Sequence, residues 1–190
     1  MSRTARRVTG SETTPSRHHP ALVALHWTSA VLILLALANG TFWLKTTPNS
    51  SPDKIAQLGA HMSIGIAILA LTIARFAVRA FTPTPARATT GSAVLDRVAL
   101  ATHYGLYVAV ALTAVSGLVT AATAGLPAIV FGGSGESLPA TFSDLPPRIA
   151  HGMLAQVIVA LASLHLLGAL YHQLLRKDRL LRRMWFGRRC

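Results

Sequence analysis

The sequence predicts an all-α integral membrane protein, a four-helix bundle with both termini on the cytoplasmic side. Three observations carry this. Four long apolar runs divide the chain, charged residues are few and sit at the run edges, and basic residues crowd onto alternate connections. Of 190 residues, 52% are hydrophobic and 13% charged, about half the charged share of an ordinary soluble domain. The net charge of +12 would suit a nucleic-acid binder. The basic residues form no patch on a soluble face, however, so nucleic acid is excluded as a partner. The bilayer is the expected surrounding.

Residues 1–20 are polar and basic and read as a disordered tail. The apolar stretch after them is too long for a signal peptide, and no cleavage-like site follows. The first run, 21–44, lacks any Asp, Glu, Lys or Arg and exceeds the ~20 residues that cross a hydrocarbon core. Pro48 and Pro52 mark a turn, and the second helix is expected over about 55–79. Pro83, Pro85 and Gly91 break the chain before a third helix over 98–124. Gly125–Arg148, with Pro139, Pro146 and Pro147, reads as a long exposed loop with room for a short surface helix. The fourth helix occupies 149–175, and 176–190 is a basic cytoplasmic tail. The membrane domain is thus 21–175.

Orientation follows from Lys and Arg. With both termini inside, the inner side carries 15 of them. Four lie in the N-tail, four around the second loop (Arg75, Arg79, Arg87, Arg97) and seven in the C-tail. The outer side has three, Lys45, Lys54 and Arg148. The positive-inside rule then places both ends in the cytoplasm.

Histidine supplies the functional clue. Ionisable groups in membrane helices are expensive and face the bundle interior, yet five of the eight histidines lie well inside these runs. His151 and His165 are 14 residues apart, within about 40° of the same face and roughly 21 Å apart along the axis. One helix therefore offers an imidazole near each membrane surface. His61, near the outer end of the second helix, matches His151 in depth. His26, near the inner end of the first, matches His165, and so does His103 on the third; depth alone leaves that choice open. A lone membrane histidine often serves only packing, whereas two depth-matched pairs point to two six-coordinate haems. Zinc would gather its ligands at one point. Cys190 is the single cysteine and no C-x-x-C-H occurs, so covalent haem is excluded. Gly65, Gly152 and Gly168 stand where a flat macrocycle needs room, although small residues also serve plain helix packing.

The chain resembles the bacterial cytochrome b561 family. The likeness is strongest in HGMLAQVIVALASLHLLGALYHQLLRKDRLLRRM, from His151 to Met184. Also similar are the LHW at 25–27, the HMSIG at 61–65, the Arg75 and Arg79 pair, the HYGLY at 103–107 and the GLV at 117–119. This resemblance implies a di-haem b protein of the bacterial inner membrane. It implies that His26 and His165 hold the inner haem iron and His61 and His151 the outer one, which leaves His103 near the haem or in a quinone site. It implies electron transfer between a periplasmic one-electron reactant, superoxide in some members, and ubiquinone, as a superoxide:ubiquinone oxidoreductase or otherwise as an electron carrier. The alternative is a cytochrome b membrane anchor of a larger dehydrogenase or hydrogenase complex, with a periplasmic donor protein docked outside. A positive funnel would steer superoxide, but the outer loops are near neutral, with Asp53, Glu136 and Asp144 against the three cations.

Three further residues complete the expected site. Arg75 is 14 residues beyond His61, at the inner level, where it can pair a haem propionate or simply anchor the helix. His172 is seven residues beyond His165 and, with His103 and Arg79, is a quinone-site candidate. Arg79 also reads as an anchor. Trp27, Trp43 and Trp185 suit an aromatic belt, and His18 and His19 are expected in solvent. A reporter fused after Cys190 is expected to be active only in the cytoplasm; activity in the periplasm would overturn the depth pairing.

Overall fold

The computed structural model describes residues 16–188. Of the tail expected at 1–20, residues 1–15 lie outside that range, as do the last two residues. The described residues are helical or loop, with four helices long and apolar enough to span a bilayer.

The long helices start on prolines or on short polar turns. Helix α1 (Pro20–Ala38) opens on a proline, which has no N–H to satisfy, and on His19, whose Nδ1 accepts from the Ala21 amide at 3.2 Å. It runs on through a π-helical turn, Asn39–Leu44. Helix α2 (Asp53–Phe81) carries Asp53 in its first turn and Arg79 in its last, both favourable to the helix dipole. Helix α3 (Ala93–Thr123) begins ahead of the expected Val98. There the Asp96 carboxylate gathers Thr89 Oγ1 at 2.6 Å and both the amide and hydroxyl of Thr90 at 2.8 Å. Helix α5 (Pro146–Leu170) starts on prolines and continues through a second π-helical turn, Tyr171–Arg176. Hydropathy marks where hydrocarbon begins, whereas prolines and polar turns mark where the helix begins. The helices accordingly outrun the apolar windows.

The third connection departs from the expected exposed loop. Gly125, at φ 66°, turns the chain into the short helix α4 (Leu126–Val130). Leu126 and Ile129 are buried, and Leu126 packs with Leu58 and Ala121 over this end of the bundle. Asn49 Nδ2 donates to the Pro139 carbonyl at 2.8 Å and ties the first connection to the third. This is the loop end. The other, terminal end gathers the start of α1 and the tail after α5. Residues 16–19, expected as disordered tail, are folded there: the His18 amide donates to Arg183 O at 3.1 Å, and both His18 and His19 are half-buried rather than in solvent.

Close backbone packing runs from α1 to α2, α2 to α3 and α3 to α5. Helix α5 stands off from α1 and α2, so the gap there is bridged by side chains. Between the two histidine levels the bundle closes on Ile68, Ala109, Val110 and Ile158, with Leu32, Ile33 and Ile64 against them. The outward faces are apolar and uncovered, with Leu34 65% and Leu167 62% exposed, as a lipid-facing surface requires. At the loop end the buried Lys54 ammonium donates to the Leu44 carbonyl and, at 2.6 Å, to that of Thr47. These bonds close the turn between α1 and α2 by filling carbonyls that the helix end leaves open. Lys54→Met is expected to lower the stability of the solubilised protein by about 2 kcal/mol. A thermal unfolding scan with an unchanged midpoint would show that the ammonium contributes nothing.

Candidate functional site between the helices

The gap beside α5 holds two histidine pairs at two depths. At the loop end, His61 of α2 faces His151 of α5, with ring centroids 5.9 Å apart and planes at 71°. At the terminal end, His26 of α1 faces His165 of α5 at 6.3 Å and 74°. His103 of α3 also reaches His165, but at 4.9 Å. Its Nδ1–H donates to the Ala99 carbonyl at 2.6 Å, within its own helix, and the residue is exposed. All four paired histidines are half-buried.

Helix α3 orients one of them. His151 Nδ1–H donates to the Thr113 carbonyl at 2.9 Å, and Ser116 Oγ lies 3.3 Å from the same nitrogen. That bond fixes the tautomer and leaves Nε2 with the free lone pair. Gly117 makes the approach possible, since a Cβ there would stand 3.1 Å from the ring. Gly40, in the first π-turn, similarly abuts His61, at 3.5 Å.

A family model described as prokaryotic cytochrome b561 matches residues 17–187. The chain belongs to that family. Among curated relatives, cytochrome b561 homolog 2 of Escherichia coli (strain K12) is 30% identical over 178 residues, covering 90% of this chain and 92% of the relative. Cytochrome b562 of Cereibacter sphaeroides is 28% identical over 166 residues, covering 85% of this chain and 90% of its own. This cytochrome is therefore a multi-pass protein of the bacterial inner membrane, with haem b as its cofactor and electron transfer as its work.

The residues fit the haem that the family implies. A metal bond of about 2 Å from each imidazole, plus roughly an ångström from nitrogen to ring centre, sets two axial rings about 6 Å apart. Both pairs stand at that spacing, whereas the His103–His165 contact is shorter. A Cβ on Gly65 or Gly168 would meet no atom within 4 Å, so neither glycine is held there by a packed neighbour. Gly152 is different, because a Cβ there would meet the Arg148 guanidinium at 3.4 Å. Buried polar atoms also lack partners at both levels: Ser29 Oγ near His26, and Gln57 Oε1 and His61 Nδ1 at the loop end. Such atoms are rare and call for an occupant.

One arginine attends each level. Arg75 lies within electrostatic reach of His26 and His165, and Arg148 of His61 and His151. Arg75 also stacks over Tyr107, 5.0 Å from the ring centre. Arg148 was expected only as an outer-loop cation. Ser29 and Gln57 were missed as well, and their one signal was a spacing of three or four residues from a histidine.

The quinone-site candidates separate. His172 is buried at the terminal end, in the second π-turn, and its Nδ1–H donates to Asp178 Oδ2 at 2.5 Å. Arg79 stands in the last turn of α2, exposed, and His103 lies across at His165. The partner Asp178 escaped sequence reasoning because it is one acid within a basic tail. The hydrogen bond from His172 holds the Asp178 carboxyl below the usual carboxylate range. A depressed carboxyl stabilises the fold above its unfolded value, and that contribution is lost as pH falls through the lower folded value. Residues 177–187 are thus expected to keep their hydrogen-exchange protection down to about pH 4 and lose it below. Asp178→Asn should show the loosened pattern at neutral pH, and equal protection in both proteins would remove this pair from the account.

Proposed function

We propose that this cytochrome holds two haem b groups and moves electrons across the inner membrane between a periplasmic one-electron reactant and the ubiquinone pool. The observation that carries the reading is the pair of histidine couples, 5.9 and 6.3 Å between ring centres, at opposite ends of one gap. His26 and His165 would hold the cytoplasmic haem, and His61 and His151 the periplasmic one, with both termini in the cytoplasm. When bound, the haems supply one-electron redox chemistry. The chain does the rest. The helix rise between His151 and His165 sets the two histidine levels about 20 Å apart, and Ile68, Val110 and Ile158 fill the space between with apolar side chains. Arg75, within electrostatic reach of His26 and His165, would pair a propionate there. Arg148 places a positive charge where an anionic reactant such as superoxide would arrive. Lys54 adds little there, because its ammonium is buried against carbonyls.

Quinone is assigned to the cytoplasmic side, where His172, seven residues beyond His165, forms a hydrogen-bonded pair with Asp178. Reduction of a quinone takes up protons, and a buried imidazole hydrogen-bonded to a partly exposed carboxylate is a path by which protons pass from water. His103 and Arg79 flank the same end.

A reduced-minus-oxidised spectrum and haem quantitation test the reading. Two haems per chain are expected, all removed by acid acetone. His61→Ala or His151→Ala should halve the haem content by removing one spectral component, and His26→Ala or His165→Ala the other. His103→Ala should keep both haems. One haem per chain, or loss of the cytoplasmic haem in His103→Ala with retention in His26→Ala, would overturn the assignment.

A further inference from the structure

At the terminal end two open depressions, one on the basic tail and one on the exposed side of α1, flank a tryptophan pair and together make a two-part groove. Its upper part, about 270 Å³, is walled by Arg17, Leu181, Arg182, Trp185 and Phe186. Its lower part, about 320 Å³, is walled by Trp27, Thr28, Val31 and Leu32. The parts adjoin through two tryptophans. Trp27 and Trp185 meet edge to face with centroids 6.1 Å apart, and the Trp27 indole N–H donates to the Met184 carbonyl at 2.8 Å.

We propose that this groove binds one anionic phospholipid, with its phosphate at Arg182 and an acyl chain along Trp27, Val31 and Leu32. Charge is the first argument. Residues 176–188 hold six basic side chains against one acid, Asp178, which His172 already engages. Those like charges are packed into a short strap that is folded all the same, with Lys177 and Arg179 in left-handed backbone at φ 54° and 55°. An anion seated among them relieves the repulsion. The second argument is that the walls are already built. Arg17 donates to the carbonyls of Trp185 at 3.3 Å and Phe186 at 2.9 Å, and Arg183 to that of Ala86 at 2.7 Å. The third is the order along the membrane normal: guanidinium, then indoles, then aliphatic side chains. That is the order of phosphate, ester region and acyl chain in a lipid, and tryptophan belongs at the middle level. Free phosphate would leave the lower part unexplained, and an uncharged quinone would leave the Arg182 guanidinium without a counter-charge.

Native mass spectrometry of the purified holoprotein, offered equimolar phosphatidylglycerol and phosphatidylcholine of equal chain length, tests this. One phosphatidylglycerol is expected to be retained in preference. Arg182→Gln should weaken retention roughly tenfold, and Val31→Trp, which fills the lower part without touching a charge, should weaken it too. Arg97→Gln, a charge removed elsewhere, should not. Equal retention of the two lipids, or an Arg97→Gln effect as large as that of Arg182→Gln, would overturn the site. Displacement by millimolar inorganic phosphate would reduce it to an anion site, and displacement by a ubiquinone analogue would give it to the quinone; either outcome overturns the proposal.

Discussion

The structure depends on one constraint: a polar ring placed in hydrocarbon must find its partner within the protein. Four imidazoles impose it here. Two of them sit on one face of α5, and that face dictates the rest. Helices α1 and α2 must bring His26 and His61 to matching depths from the far side of a gap, so α5 cannot pack closely along either. The lost packing is made up on α3, which lies against α5 and takes the His151 Nδ1–H on the Thr113 carbonyl. A helix that offers no ligand in the proposed arrangement is thus the one that orients a ligand. Gly117 is the local condition for it, since a Cβ there would crowd the imidazole at 3.1 Å.

The two levels are built alike and closed differently. Each has a histidine couple, an arginine within electrostatic reach and a buried polar atom without a partner. At the loop end the lid is apolar: α4 buries Leu126 and Ile129, while Lys54 spends its charge on two carbonyls. At the terminal end the lid is a basic strap, held by Trp27, Arg17 and His18 on one side and by His172 with Asp178 on the other. The two ends therefore differ in chemistry, one closed by apolar side chains and the other by hydrogen-bonded basic ones.

Much of this was legible in the order of residues. Hydrocarbon is a uniform solvent, so apolar length alone locates four spans, and a regular helix converts the separation of His151 and His165 into depth and face. The boundaries were less legible, because the His19 cap and the turn that Asp96 gathers lie outside the apolar window. Depth likewise left His26 and His103 equivalent as partners for His165. Their difference is lateral, 6.3 against 4.9 Å between ring centres, together with the Ala99 carbonyl that engages His103.

By itself, then, the sequence determined what a one-dimensional period can carry: the number of spans, the two histidine levels and the segregation of charge. Only the tertiary structure decided which groups meet across helices. Arg148 came to the loop-end pair, Thr113 to His151, Asp178 to His172, and the C-terminal strap to Trp27. The physical reason is that those contacts depend on the rotation and spacing of helices about one another. Side-chain packing and the gap beside α5 set both, and neither has a period along the chain.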